Sequence, residues 1–148
     1  MNTHTDSLKT IKCRGIIFNN DKILVVKHSI NHDFYALPGG HLEGQEDAKE
    51  CVEREIFEEF GIKPEVGKLL YINQYKYFEN DNFLEFFFEI KNSQDYLDIG
   101  KLKGSHSYEL VDVLWVSKED DINILPKKLN EDFKNGSVLH DEVIFIKV

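Results

Sequence analysis

The order of apolar and polar positions predicts more strands than helices along this chain of 148 residues. Runs of β-branched and aromatic residues are bounded by turn residues such as Asn19-Asn20-Asp21, a pattern typical of strands. The predicted strands are 10–18, 23–28, 66–78, 83–91, 110–116 and 143–148, with a short extended piece at 34–37. Helical periodicity is seen from about 46 to 60 and from 125 to 134. Because strands and helices do not alternate regularly, we predict an α+β fold with helices packed on a mixed sheet.

Glycine and proline mark both ends of the first predicted helix. Gly61 follows the last periodic residue and Pro64 comes shortly after, which predicts the end of the helix. Before the helix, Pro38-Gly39-Gly40 predicts a sharp turn at which the backbone can approach a ligand closely. Residues 98–108 are rich in Gly, Ser and Lys and predict a loop.

The first predicted helix carries a high density of carboxylates. Its packing face is an i, i+4 stripe of apolar residues, Ala48, Val52, Ile56 and Phe60. Glu55 and Glu59 border this stripe, and Glu58 lies one step around the helix. Like-charged neighbours cost about 0.2–0.5 kcal/mol per pair on an exposed helix, but roughly 3 kcal/mol at about 6 Å in a partly buried setting. A hard divalent cation removes that repulsion, and oxygen ligands favour Mg²⁺ or Mn²⁺. On this spacing alone, a solvated acidic helix is an equally good interpretation.

Composition and charge narrow the possible partners. A net charge of −9 disfavours broad attraction to nucleic acid polymers or to an anionic membrane. The polar start of the chain has no signal-peptide core, and no apolar run reaches the length of a membrane span. Two cysteines, Cys13 and Cys51, without metal-ligand spacing fit a reducing cytoplasm better than a disulfide framework. We therefore expect a cytoplasmic protein of one domain, residues 1–148, that binds a small anionic molecule as a monomer or homodimer.

The glycine pair and the helix together resemble the Nudix box. Gly40 is followed by five residues, Glu46, seven residues and then Arg54-Glu55-Ile56-Phe57-Glu58-Glu59-Phe60-Gly61-Ile62. Every defining position of the box is filled. The resemblance implies a hydrolase that cleaves the pyrophosphate bond of a nucleoside diphosphate linked to another group. It also implies a mixed β-sheet sandwiched between α-helices.

The resemblance assigns roles to the residues of the box by position. Glu55, Glu58 and Glu59 would hold the divalent metal ions, and one of them, most often the first, would orient or deprotonate water. The carbonyl group of Gly39 would complete the metal shell. Arg54 would hold the carboxylates of the box, either Glu46 or Glu55, by charge-assisted hydrogen bonds.

Several residues outside the box are candidates for the site. Glu109 resembles the further ligand or base that many family members supply from a late loop, although a solvated glutamate at a strand edge fits equally well. Lys101, Lys103 and His41 could meet phosphates, but a solvent or structural role is the simpler interpretation for each. The aromatic candidates for stacking on a base are Phe34, Tyr35, Tyr75, Tyr77 and Phe83, most of which fit the core as well. Cys51 is expected to be a buried, unreactive thiol.

The sequence therefore predicts a nucleotide pyrophosphohydrolase that uses Mg²⁺ or Mn²⁺. The default substrate is an ordinary or oxidised nucleoside triphosphate, which water would split into a nucleoside monophosphate and pyrophosphate. A competing function is a nucleotide-sensing module of the same fold without turnover. An isomerase of diphosphate-bearing isoprenoids is disfavoured, because the complete box is the hydrolase form.

Overall fold

Two β-sheets and two α-helices make up the part of the chain described by a computed structural model, residues 8–76, 82–99 and 109–147. The helices are α1 (Ala48–Phe60) and α2 (Lys127–Lys134), and a short 3₁₀ helix spans Ser93–Tyr96. The strands are β1 (Leu8–Ile16), β2 (Phe18–Asn19), β3 (Lys22–Lys27), β4 (Gly39–His41), β5 (Val66–Lys76), β6 (Asn82–Ile90), β7 (Asp112–Ser117) and β8 (Ile144–Lys147). In these residues no helix is long and apolar enough to span a membrane.

The larger sheet is mixed and the smaller one is antiparallel. Five strands lie in the order β4-β1-β6-β5-β8, in which β1 runs parallel to β6 and β5 runs parallel to β8. The smaller sheet has the order β2-β3-β7. The predicted α+β class with a mixed sheet is therefore confirmed, and the structure adds the second sheet.

The predicted strand 10–18 is divided between the two sheets. Residues up to Ile16 pair with β4 and β6, whereas Phe18 and Asn19 pair with β3. Asn20 and Asp21 form the hairpin turn with φ values of 54° and 62°, a conformation that Asn and Asp tolerate well. The turn signal was therefore right, but the sequence did not reveal that the chain changes sheets.

The glycine pair forms a strand and not the predicted sharp turn. Gly39 and Gly40 begin β4, which lies antiparallel to β1, with Gly39 beside Arg14 and Gly40 beside Cys13. Gly39 has φ +144°, and a Cβ atom there would overlap the carbonyl oxygen of Cys13. A Cβ atom on Gly40 would overlap the carboxyl group of Glu55. Glycine is needed at position 39 because β4 fits closely against the backbone of β1, and glycine at position 40 leaves room for the Glu55 carboxyl group.

The larger sheet separates two hydrophobic cores, each covered by one helix. The core under α1 includes Cys51, Val52, Ile56 and Phe60 together with Cys13. The core under α2 includes Leu129 and Phe133 with Tyr71 and Phe87. The predicted apolar stripe of α1 is therefore confirmed. Cys51 is fully buried, as predicted, and its hydrogen bond with Cys13 together with burial raises the pKa of its thiol.

Both ends of α1 are closed by local contacts. The Asp47 side chain caps the first turn by accepting a hydrogen bond from the Glu50 backbone N–H at 2.8 Å. The Glu50 side chain in turn accepts a hydrogen bond from the Asp47 backbone N–H at 2.9 Å. Gly61 ends the helix in the left-handed conformation, with φ 74° and a hydrogen bond of 2.7 Å from its N–H to the Phe57 carbonyl. The helix begins two residues later than the predicted range, 46–60, and ends at the same residue.

Replacing Gly61 tests this left-handed cap. Gly61→Ala should lower the free energy of unfolding by about 1 kcal/mol, because an L-residue is strained at this φ. Gly61→Asn should lower the free energy of unfolding by less, because Asn adopts the left-handed conformation more easily. Urea unfolding of the three proteins measures the difference, and equal losses for Ala and Asn would contradict the cap.

Candidate active site

A cavity of about 440 Å³ brings acidic and basic side chains together beside α1, β1 and β4. This volume is in the usual range for small-molecule sites. Its carboxylates are Glu43, Glu55, Glu58, Glu59 and Glu109. Its basic residues are Lys12, Arg14, Lys27, His28, His32 and His41. The structure therefore places the four predicted carboxylates, together with Gly39, around one cavity.

Arg54 lies among the carboxylates of the box and binds three of them. Its Nε and Nη2 atoms donate to the two carboxyl oxygens of Glu46 at 2.9 and 2.7 Å. Its Nη1 atom donates to Glu55 at 3.0 Å and to Glu58 at 2.8 Å. The hydrogen bonds from Arg54 lower the pKa of Glu46 to about 2. Because one planar guanidinium contacts all three carboxylates, it sets their spacing along α1.

The backbone of β4 is tied into the same arrangement. Arg54 Nη2 donates to the carbonyl oxygen of His41 at 3.0 Å. The N–H of Gly39 donates to Glu59 Oε1 at 3.1 Å. The glycine strand and the acidic helix are therefore held together through polar contacts at both ends of β4.

Glu59 is more deeply buried than the helical pattern predicted. Its side chain is 4% exposed, whereas the pattern placed it at the border of the apolar face. Burial, and next the charge of Glu55, raise the pKa of Glu59 to about 8. His28 Nε2 lies 4.0 Å from Glu59 Oε2, but burial and the nearby Arg14 and Lys12 lower the pKa of His28 to about 4. At pH 7 both groups are therefore mainly neutral, so this contact is not an ion pair despite its distance.

The carboxylate oxygens of the cavity fit a hard divalent cation. Burial also raises the pKa of Glu55, although its hydrogen bond with Arg54 acts in the opposite direction. The negative charges of Glu55 and Glu59 are therefore not fully stabilised by the protein. A divalent cation would stabilise both, and oxygen donors suit Mg²⁺ or Mn²⁺. Within residues 8–76, 82–99 and 109–147, no three His, Cys, Asp or Glu side chains already form a compact ligand set. Arg54 bonds the Oε1 atom of Glu55 and the Oε1 atom of Glu58.

The sequence patterns did not reveal most of the basic residues of the cavity. Arg14 is buried, donates from Nε to Glu85 at 2.5 Å and from Nη1 to the Leu37 carbonyl at 2.9 Å. Lys12 lies two residues before it on β1, and the residue between them, Cys13, faces the core. Two charged residues that alternate with the apolar residues Ile11 and Cys13 in a predicted strand are the signal that could have found this pair. His28 and His32 follow β3 and show no such signal.

The aromatic candidates have different environments. Phe34 lines the cavity and stacks on His32, with ring centres 4.6 Å apart. Tyr35 lies under the ammonium group of Lys27 and donates a hydrogen bond to Asp112. The remaining described candidates, Tyr75 and Phe83, stack on each other at 5.0 Å. Tyr77, Lys101 and Lys103 lie outside the described residues.

Comparison with known families identifies the family of this chain. The family model described as the NUDIX domain matches residues 10–136. The chain belongs to the NUDIX hydrolase family. The resemblance found in the box is thereby confirmed, and enzymes of this family generally use divalent metal ions and act on small nucleotide substrates. A single domain over residues 1–148 stays a prediction.

Similar proteins of this family are named for different substrates. The chain is 48% identical over 59 residues to an ADP-ribose pyrophosphatase of Methanocaldococcus jannaschii, which is 38% of this chain and 34% of that protein. It is 40% identical over 50 residues to diphosphoinositol polyphosphate phosphohydrolase 3-beta of Bos taurus, which is 34% of this chain and 30% of that protein. The matched segment thus spans about a third of each relative.

The solved structures support the fold. The crystal structure of the MutT protein from Bacillus halodurans superposes with a TM-score of 0.65 at 19% identity, covering 93% of this chain and 87% of that one.

The stability of the metal-free protein should depend on pH through Glu59. An ordinary glutamate has a pKa of 4.5, whereas that of folded Glu59 is about 8, so between these values the folded protein keeps a proton that the unfolded chain releases. The free energy of unfolding should therefore fall as pH rises from 5 to 8, by up to about 3 kcal/mol from this residue. Urea unfolding in EDTA at both pH values measures the fall.

A matched pair of variants isolates this contribution. Glu59→Gln should remove most of the decrease in the free energy of unfolding with rising pH, because glutamine does not titrate. Glu53→Gln, on the same helix but with a side chain that is 47% exposed, should show the same decrease in the free energy of unfolding as the wild type. The same dependence on pH in wild type and Glu59→Gln would show that the buried carboxylate is not its source.

Proposed function

We propose that this chain hydrolyses a pyrophosphate bond in a nucleotide substrate with the help of Mg²⁺ or Mn²⁺. The observation that carries the proposal is the cavity in which the complete box meets a set of basic side chains. Carboxylates on one part of the cavity suit metal ions, and lysine, arginine and histidine suit phosphate oxygens. A charged, polyanionic substrate is the ligand that uses both sets of groups.

The metal ligands are proposed from the box and the late glutamate. Glu55, Glu58 and Glu59 would hold the ions, with the Gly39 carbonyl and Glu109 as further ligands. When bound, the metal makes water easier to deprotonate and neutralises charge on the phosphoryl group that is transferred.

The protein groups prepare the geometry of the reaction. Arg54 orients Glu55 and Glu58 by bonding both carboxyl groups. Gly40 lets the backbone of β4 approach the Glu55 carboxyl group more closely than any side chain would allow. We propose Glu55 as the group that takes the proton of the attacking water, because it lines the cavity and burial raises its pKa towards neutrality.

A nucleoside triphosphate, ordinary or oxidised, is the proposed substrate. Attack by water would release a nucleoside monophosphate and pyrophosphate. A panel of ordinary and oxidised nucleoside triphosphates, ADP-ribose, NADH, dinucleoside polyphosphates and nucleotide sugars tests this choice. We expect metal-dependent phosphorylated products, with the triphosphates hydrolysed at the highest kcat/KM. Tight nucleotide binding without product at any metal concentration would replace the hydrolase by the nucleotide-sensing function.

Glu58→Gln tests the role of the acidic helix. The variant should lower turnover by two or more orders of magnitude and raise the Mg²⁺ concentration needed for half activity, because a ligand charge is lost. Its thermal unfolding should stay close to that of the wild type, since Glu58 is not part of either core. Glu53→Gln, five residues earlier on the same helix and half-exposed, is the control and should keep wild-type turnover. Wild-type rates in Glu58→Gln would remove this residue from the site.

A further inference from the structure

The larger sheet ends in a strand whose outer edge pairs with no other strand among the described residues. β8 pairs with β5 and lies at the opposite end of the strand order from β4. The β4 edge is covered, because Glu59 and Arg54 bond its backbone. An edge strand such as β8 presents a row of backbone N–H and C=O groups on its outer side. The β8 edge can therefore pair with one further strand.

The sequence of β8 lacks the features that usually protect a sheet edge. Residues 143–146 are Val-Ile-Phe-Ile, without charge or proline, whereas natural edge strands commonly carry lysine, proline or a bulge. Ile144 and Ile146 pack against the core under α2. Val143 and Phe145 point to the other face and are half-exposed. A further strand would pair the edge and cover part of this apolar surface.

The order of charges around β8 favours a second copy of this chain as that strand. Two identical strands that meet antiparallel across a two-fold axis pair residues at equal distances from the axis. With Ile144 on the axis, Phe145 lies opposite Val143 of the second copy. Lys147 then lies opposite Asp141 of the second copy. This register pairs apolar with apolar side chains and a cation with a carboxylate, and the two-fold axis repeats each pair.

A neighbouring register loses the charge pairing. With Phe145 on the axis, Lys147 would lie opposite Val143 of the second copy. An apolar side chain would then face an ammonium group on both sides of the axis. The positions of the charges therefore select the register with Ile144 on the axis.

Both charged groups of the selected register are accessible. The Asp141 side chain is fully exposed, and its carboxylate contacts Lys68 of the same chain at 3.2 Å. Lys147 is exposed and shares a face of β8 with Phe145. A carboxylate accepts several hydrogen bonds, so Lys147 of the second copy can share Asp141 with Lys68. The pairing therefore does not require this ion pair to break.

We infer that the β8 edge is the interface of a homodimer in which two five-stranded sheets join through antiparallel β8 strands. A strand pair of this length buries less surface than the roughly 1,600 Å² of a standard interface, so we expect dissociation in the micromolar range. Pairing uses up the edge, so assembly stops at two chains. Because β8 lies at the far edge from β4, the inference does not depend on the proposed hydrolysis.

Sedimentation equilibrium of the full chain from about 1 to 200 µM tests the dimer. The average mass of the wild type should rise from that of one chain towards that of two. Phe145→Lys should stay at the mass of one chain, because it removes the contact with Val143 and adds a charge to the interface. Leu97→Lys is the control and should associate as the wild type. Leu97 has the same exposed fraction as Phe145, 55%, but lies next to the 3₁₀ helix.

Exchanging the charges tests the register. Lys147→Glu and Asp141→Lys should each weaken association by about tenfold, because like charges then face each other on both sides of the axis. The variant that combines both changes should associate within about threefold of the wild type, because the attraction is restored.

Net charge alone predicts a different pattern for the same variants. Asp141→Lys makes the net charge of −9 less negative, so a general repulsion between chains would be weaker and association stronger. Lys22→Glu, at an exposed position of β3, changes the net charge as Lys147→Glu does. It should leave association at the wild-type value.

Thermal unfolding first shows that each variant is folded. The inference is overturned if the wild type stays at the mass of one chain at the highest concentration, or if its mass passes that of two chains. Wild-type association of Phe145→Lys, or a combined charge variant as weak as the single ones, also overturns it. Should Phe145→Lys not fold, the charge variants decide, because Asp141 and Lys147 lie outside both cores.

Discussion

The close fit of β4 between β1 and α1 is the constraint on which the candidate site depends. Gly39 has no space for a Cβ atom, because the backbone of Cys13 and Arg14 lies there, and a Cβ atom on Gly40 would displace the Glu55 carboxyl group. This proximity lets Glu59 accept the Gly39 N–H and lets Arg54 reach the His41 carbonyl. A larger residue at position 39 would push β4 away from β1, and one at position 40 would move the Glu55 carboxyl group.

The charges of the cavity are arranged around that contact. Arg54 gathers Glu46, Glu55 and Glu58, while Glu59 remains buried with a raised pKa. On the sheet, Glu85 plays the corresponding role for Arg14. Arg54 and its carboxylates on one side of the cavity, and the Arg14–Glu85 pair on the other, thus hold charged groups in fixed positions. A metal-bound polyphosphate is a ligand that could satisfy both sides.

Local features of the chain were read correctly from the sequence because local contacts produce them. Gly61 ends α1 through a hydrogen bond within the same helix, and the apolar stripe of α1 follows from its period. The turn at Asn20 and Asp21 depends only on the conformations that these two residues tolerate. Other features depend on distant partners. The strand formed by Gly39 and Gly40 requires β1, and the burial of Glu59 requires the β4 backbone.

The sequence by itself therefore determined the class of fold, the acidic helix and membership of the family, because these rest on periodicity, spacing and the complete box. Only the tertiary structure decided which charges face one another. Lys12 and Arg14 enter the cavity through the pairing of β1 with β4, and Glu85 and Asn73 support Arg14 from strands more than fifty positions away along the chain. Such partners leave no local pattern, because a hydrogen bond across a sheet depends on strand register and not on sequence spacing.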